Sequence, residues 1–129
     1  MRLSELAQVL ALAQLTPGAT GGPATAGSPG SGAAADPDIT KGYASDLLSD
    51  VLANAPTGGV LVTLQVHLNV IAVAGHAGLA AVVFSSGRKP EDEVIAKAAE
   101  EGIALFTSRE DTFDLAGRLY ELGIRGSSV

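Results

Sequence analysis

Between Val51 and Gly87 the chain carries no Asp, Glu, Lys or Arg, and the run VLVTLQVHLNVIAVAGHAGLAAVVFSS fills positions 60–86 of that stretch. A segment so poor in charge and so rich in Val, Leu, Ile and Ala belongs at the centre of whatever forms around it. Val60–Leu64 is β-branched and apolar at successive positions, which predicts a strand buried on both faces. Asn69–Ala77 is a short apolar segment opened by Asn, a favoured helix cap, with Gly75 and Gly78 as stop signals. Leu79–Phe84 reads as a second buried strand, ended by Ser85, Ser86 and Gly87. Strand, polar turn, short helix and strand make a βαβ unit around a parallel pair. A membrane span over Leu68–Phe84 would sit at the lower limit of about 17–25 residues, with Gly75, His76 and Gly78 interrupting it and no basic flank before it. Burial in a core is the better reading.

Composition narrows the rest. One domain fits 129 residues, and with 47% apolar but only 4% aromatic residues the core must be aliphatic. The net charge of −6 and the lack of any basic run beyond Arg88-Lys89 argue against nucleic-acid binding. Without cysteine there is no disulfide, thiolate chemistry or Cys-ligated metal, and two histidines make no His-rich metal site. No metal and no cofactor is expected. The opening MRLSELAQVLALAQL has Glu5 and Gln8 inside its apolar part, which suits an amphipathic helix with Leu3, Leu6, Val9, Leu10 and Ala13 on one face better than a signal peptide. The expected setting is cytoplasmic, with no membrane contact.

Four regions follow in order: the first helix within 1–16, a Gly/Pro/Ala-rich flexible linker or loop over 17–38, a core over 39–124, and a disordered tail over 125–129. Within the core, Ile39–Tyr43 reads as a short strand. Ser45 is expected to cap a helix over Asp46–Asn54, with Leu47, Leu48, Val51 and Leu52 buried. Asp46 and Asp50 would then share a face, a pairing too poor in oxygen ligands to hold a hard cation. Pro90 is expected in the first turn of the next helix, which buries Val94, Ile95, Ala98 and Ala99, pairs Glu93 with Lys97 and stops at Gly102. Ile103–Thr107 is the following strand. Ser108 with Asp111 suggests a capping box for a last helix that packs Phe113, Ala116, Leu119 and Tyr120 inward.

This alternation predicts an α/β fold: a three-layer α/β/α sandwich whose mainly parallel sheet has four to five strands. Such sheets bind ligands at the rim where the strands end. The residues expected to bind a ligand there are Ser45, Asp46, Gln65, His67, Asn69, Ser86, Arg88, Ser108 and Arg109, with Tyr43, Ser85, Lys89 and Thr107 beside them. Arg88 and Arg109 would hold an anion, helped by the amides after Ser86 and Ser108 and by helix N-termini. The same hydroxyls and amides also suit plain helix caps. No catalytic residue is assigned. The rival reading is a small enzyme using His67 and Asp46, although no nucleophile elbow surrounds Ser85.

The segments Ile39–Ala53 and Val62–Ala74, continued by Glu101-Gly102-Ile103, Thr112-Phe113 and Leu119–Ile124, resemble the small stand-alone DRTGG-domain proteins. The signature Thr-Gly-Gly stands here as Thr40-Lys41-Gly42. The resemblance implies a fold related to the N-terminal domain of HPr kinase/phosphorylase and no catalytic activity. It also implies accessory or regulatory roles like those in phosphotransacetylases and CBS-containing pyrophosphatases, and a bacterial protein. The expected partners are a second copy in a homodimer, a small anionic or nucleotide-like effector, and a redox or hydrogenase-associated protein. A purely structural dimerisation unit is the other alternative.

Overall fold

The structure, a computed structural model, describes residues 1–17 and 36–126. Ten elements follow in order: α1 (Leu3–Val9), β1 (Ala13–Gln14), β2 (Gly42–Ala44), α2 (Leu48–Asn54), β3 (Val60–Thr63), α3 (Asn69–Ala77), β4 (Ala81–Phe84), α4 (Asp92–Glu101), β5 (Ala104–Thr107) and α5 (Thr112–Glu121). The sheet order is β1-β5-β4-β3-β2, with β2 to β5 parallel and β1 antiparallel on the β5 edge. The charge-free run is the middle of this sheet, β3–α3–β4. No helix among the described residues is long and apolar enough to cross a membrane.

Alternation along the buried strands builds two cores. Val60, Val62, Ala81, Val83, Ala104 and Phe106 face α1 and α5, and meet Leu3, Leu6, Leu115 and Leu119 there. Leu61, Val82, Phe84 and Leu105 face α2, α3 and α4, and meet Val51, Val70, Ile71, Ala74, Val94 and Ala98. Phe84 and Phe106 are fully buried, one on each side, and each contributes on the order of 2–3 kcal/mol of apolar burial. α3 runs through Gly75 and ends at Gly78, and α4 ends at Gly102; both caps take the left-handed conformation that glycine allows (φ 72° and 75°).

Several local expectations give way. Helix α2 starts at Leu48, so Leu47 is its N-cap and lies exposed, and Leu52 is exposed too; one buried position, Val51, suffices for so short a helix. Asn69 is the first helical residue of α3, one position past the N-cap. Pro90 precedes Glu91, the N-cap of α4, and Lys97 reaches forward to Glu100 and Glu101, not back to Glu93. The cap of α5 is Asp111, whose carboxylate accepts from the Asp114 amide at 2.8 Å. Starting there turns Leu115 and Leu119 inward and leaves Phe113 85% and Tyr120 59% exposed.

At the N-terminus, Val9 is exposed and the chain turns at Ala11 (φ 53°) into β1, an edge strand the periodicity does not announce. Residues 36–38, expected to be linker, clasp α1: Asp36 accepts from the Ser4 amide and hydroxyl, the Pro37 carbonyl accepts from Leu3, and Asp38 pairs with the N-terminal amine. Arg125, expected in the tail, bridges to Lys41. The remainder of the linker, 18–35, and of the tail, 127–129, lies outside the described residues.

Candidate functional site

The strands β2 to β5 end on one rim, and its two halves are built differently. Where β2 and β3 end, nearly every polar side chain caps a neighbouring amide. The Asp46 carboxylate accepts from the Thr63 hydroxyl at 3.0 Å and from the Leu64 amide at 2.7 Å. The Thr63 oxygen accepts from the Gln65 amide, the Gln65 side-chain oxygen from the His67 amide, and His67 Nδ1 from the Asn69 amide at 3.0 Å. With Nδ1 accepting from that amide, Nε2 is the ring nitrogen that faces away from the turn's own hydrogen bonds. Ser45 Oγ accepts from the Leu47 amide at 3.2 Å. The turn is therefore a chain of local caps, each satisfying an amide that the end of a strand or the start of a helix leaves open. Asp46 and His67 are committed to different partners and form no dyad. Nor do Asp46 and Asp50 form a pair: Asp50 accepts from the Tyr43 hydroxyl at 2.8 Å and from Asn54 Nδ2 at 2.8 Å, tying α2 to the edge strand. Hydrogen bonds from Asn54, Ser45 and Tyr43 hold the Asp50 carboxyl below the usual carboxylate range. The bond to Asp50 in turn raises the Tyr43 phenol.

The half where β4 and β5 end is open. Beyond β4 the chain turns through Ser86 (φ 57°) and Gly87 (φ 68°). Of the amides expected to cradle an anion, the one after Ser86 is taken within the protein, and so are its neighbours. Ser86 N–H donates to the Glu110 carbonyl, Gly87 N–H to the Ser108 carbonyl, Arg88 N–H to the Ser85 carbonyl, and Glu110 N–H to Ser108 Oγ. The Ser85 and Thr112 hydroxyls meet at 2.6 Å, and the Thr107 hydroxyl donates to the Arg88 carbonyl at 2.7 Å. Helix N-termini do not favour an anion here either. α4 opens with Asp92 and Glu93, and α5 with Asp114 after its Asp111 cap.

What remains is side-chain charge around a cleft of about 600 Å³, lined by Leu10, Ala11, Ala13, Gly87, Thr107, Ser108, Arg109, Glu110 and Arg118. Arg109 is exposed and makes no ion pair among the described residues. Arg118 donates to Glu110 at 2.5 Å and to the Val9 carbonyl at 3.3 Å, and so fastens α5 to the end of α1. One wall is apolar, from Leu10, Ala11 and Ala13; the other is polar, with two guanidiniums against one carboxylate.

Of the nine residues expected at the rim, Ser108 and Arg109 line this cleft, with Ser86 beside it through its bond to Glu110. Arg88 is exposed on the turn between. Ser45, Asp46, Gln65, His67 and Asn69 belong to the capped half. Thr40-Lys41-Gly42 lies at the opposite end of the sheet, where Gly42 pairs with Val60 at the start of β3. Leu10, Ala11, Ala13, Glu110 and Arg118 are not among the residues expected at the rim; Leu10 and Ala13 are expected only on the apolar face of the first helix. A two-residue edge strand has no periodic signature, and the Arg118–Glu110 pair joins a helix to the loop before it at a spacing no motif records.

No family model matches the sequence, and no curated protein does. The fold does match a solved structure, the CBS and DRTGG domains of the regulatory region of Clostridium perfringens pyrophosphatase, complexed with its activator diadenosine tetraphosphate. The TM-score is 0.63 at 12% sequence identity. The fold is of the DRTGG type. The match covers 89% of this chain and 44% of the other, so this chain spans less than half the length of the protein it resembles. At that identity the DRTGG likeness is one of architecture, and the cleft stands on its own residues.

Proposed function

We propose that the chain is a non-catalytic regulatory module that binds an anionic, nucleotide-like effector in the cleft between the α1–β1 turn and the β5–α5 loop. One observation carries this reading. Among the described residues there are two non-glycine residues with positive φ: Ala11 lines this cleft, and Ser86 adjoins it, next to Gly87 of its lining and bonded through its amide to the Glu110 carbonyl. Left-handed backbone costs such residues about 1–2 kcal/mol. Strain of that kind persists where the surroundings impose it and clusters at ligand clamps.

The two walls suit an amphipathic ligand. Arg109 supplies charge-assisted donors for phosphate or carboxylate oxygens, and the guanidinium N–H groups of Arg118 not used on Glu110 add to them. Leu10, Ala11 and Ala13 offer a surface for a base or another flat apolar group. A bound effector would join the N-terminal segment to the β4 and β5 loops, and so convert occupancy into rigidity along one sheet edge. The DRTGG-type match supports this reading, because its regulatory region is crystallised with a nucleotide activator. A thermal-shift series with ADP, ATP, pyrophosphate and phosphate tests it. Stabilisation by the nucleotides, lost in Arg109→Ala, is the expected result; stabilisation that Arg109→Ala retains refutes the site.

A further inference from the structure

We propose that the outer face of α5 docks a basic segment of a different protein, one that carries apolar side chains between its lysines or arginines. The chain has only three Phe and two Tyr. Phe84 and Phe106 are fully buried, whereas Phe113 and Tyr120 stand exposed on α5, on the same side of the helix. Leu115 and Leu119 already fill the inner face of α5, so its packing calls for no ring on the outer one. Between the two rings the surface dips at Gly117, into a shallow depression lined by Glu110, Phe113, Asp114, Gly117, Arg118 and Glu121. Aromatic side chains beside such a depression are the usual anchors of a protein interface.

The charges around the depression select the occupant. Glu110 pairs with Arg118, but Asp114 and Glu121 make no ion pair among the described residues. Asp114 suits the first turn of the helix, where the helix dipole favours a carboxylate. Glu121 is the last residue of α5, where the same dipole disfavours one. Its charge helps neither the helix nor the core, and a cation arriving from outside answers it. A basic partner therefore sets its cations on Asp114 and Glu121 and an apolar side chain over Gly117, between Phe113 and Tyr120. Arg125 already lies over the Tyr120 ring, 3.9 Å from its centroid, the contact that a partner's arginine can make with Phe113. The same carboxylates repel nucleic acid and anionic lipid. A second copy running antiparallel along α5 would set Asp114 against Glu121, like charge on like. The Glu110–Arg118 pair also lines the effector cleft, so the two surfaces meet at one ion pair, yet either can fail without the other.

The probe is a stapled amphipathic helical peptide of leucine and lysine, about the length of α5, with a leucine–glutamate peptide as its counterpart. Fluorescence anisotropy should show saturable binding of the lysine peptide to the wild-type chain at micromolar concentration, and none of the glutamate peptide. Phe113→Ser should weaken that binding about tenfold or more, and so should Asp114→Lys combined with Glu121→Lys, which should also gain the glutamate peptide. Glu100→Lys with Glu101→Lys makes the same change of net charge on α4, across the sheet, and should cost less than about threefold. Circular dichroism melts of each variant establish that it is folded. Equal losses in the α4 and α5 charge variants, or unchanged affinity in Phe113→Ser, would mean that the peptide is held by acidity in general, and either overturns the proposal. So does the absence of saturable binding. Sedimentation velocity showing a wild-type dimer that Phe113→Ser dissociates would give the face to a second copy and overturn it as well.

Discussion

The two halves of the rim use the same residue types to opposite ends. Around β3 and α3 the Asp, Thr, Gln and His side chains turn back on the chain, and each satisfies an amide within a few residues of itself or on the adjacent strand. Around β4 and β5 the amides of Ser86, Gly87, Arg88 and Glu110 are satisfied by carbonyls of the two loops and by the Ser108 hydroxyl, while Arg109 makes no ion pair among the described residues and the cleft beside it is open. Polar residues at strand ends therefore do not by themselves mark a site. A site is what remains after the backbone's own donors have been satisfied.

That contrast makes Asp46 and Arg109 behave in opposite ways when mutated. Asp46→Ala removes the acceptor for the Leu64 amide and for the hydroxyl of buried Thr63. Urea denaturation should show a loss of about 2–3 kcal/mol, with effector affinity unchanged in the folded protein. Arg109→Ala should leave the denaturation midpoint where it is and weaken nucleotide binding by roughly tenfold to a hundredfold, about 1.4–2.8 kcal/mol, with the larger loss at low salt. An Asp46 variant that loses binding first, or an Arg109 variant that unfolds first, breaks the comparison.

A smaller effect sharpens it. Ser86→Gly relieves the left-handed strain at the open half and should raise stability by about 0.5–1 kcal/mol, since glycine's extra freedom in the unfolded chain takes back part of the gain. If the strain holds the cleft in shape, affinity should fall as stability rises; a variant that gains both removes strain as an argument for the site.

The smallest effect lies at the edge of the capped half. The lowered Asp50 carboxyl contributes stability that is present above the ordinary carboxylate pKa near 4 and is lost as pH falls through the folded value. The stability gap between wild type and Tyr43→Phe, which lacks one of the Asp50 donors, should therefore close as pH drops below about 4. A gap that stays constant into acid would mean the Tyr43 hydroxyl does not favour the charged carboxylate.

How far the sequence carries depends on how its signal is encoded. β3, α3 and β4 are legible because burial on both faces demands an unbroken apolar run, and nothing else in a chain of net charge −6 produces one. The last helix misleads for a physical reason. Phe113 and Tyr120 are apolar and suitably spaced, yet the Asp111 cap sets the rotation of the helix, and Leu115 and Leu119 take the inner face. The rim was legible as a place but not as a site. Ser45 and Ser108 are favoured capping residues and Gln65 and His67 carry acceptors within reach of a nearby amide, and the sequence does not record which amides the facing loops already satisfy. Ala11 and Arg118 enter the cleft through tertiary contacts alone.

The central claim is that the open half binds and the capped half does not, and backbone amide NMR tests it residue by residue. Titrating the ¹⁵N-labelled chain with ADP should shift the amides of Ala11, Ala13, Gly87, Arg109 and Glu110 in a saturable way, while those of Leu64, Gln65, His67 and Asn69 stay in place. Shifts centred on Leu64–Asn69, or no saturable shift at millimolar ADP, would contradict it.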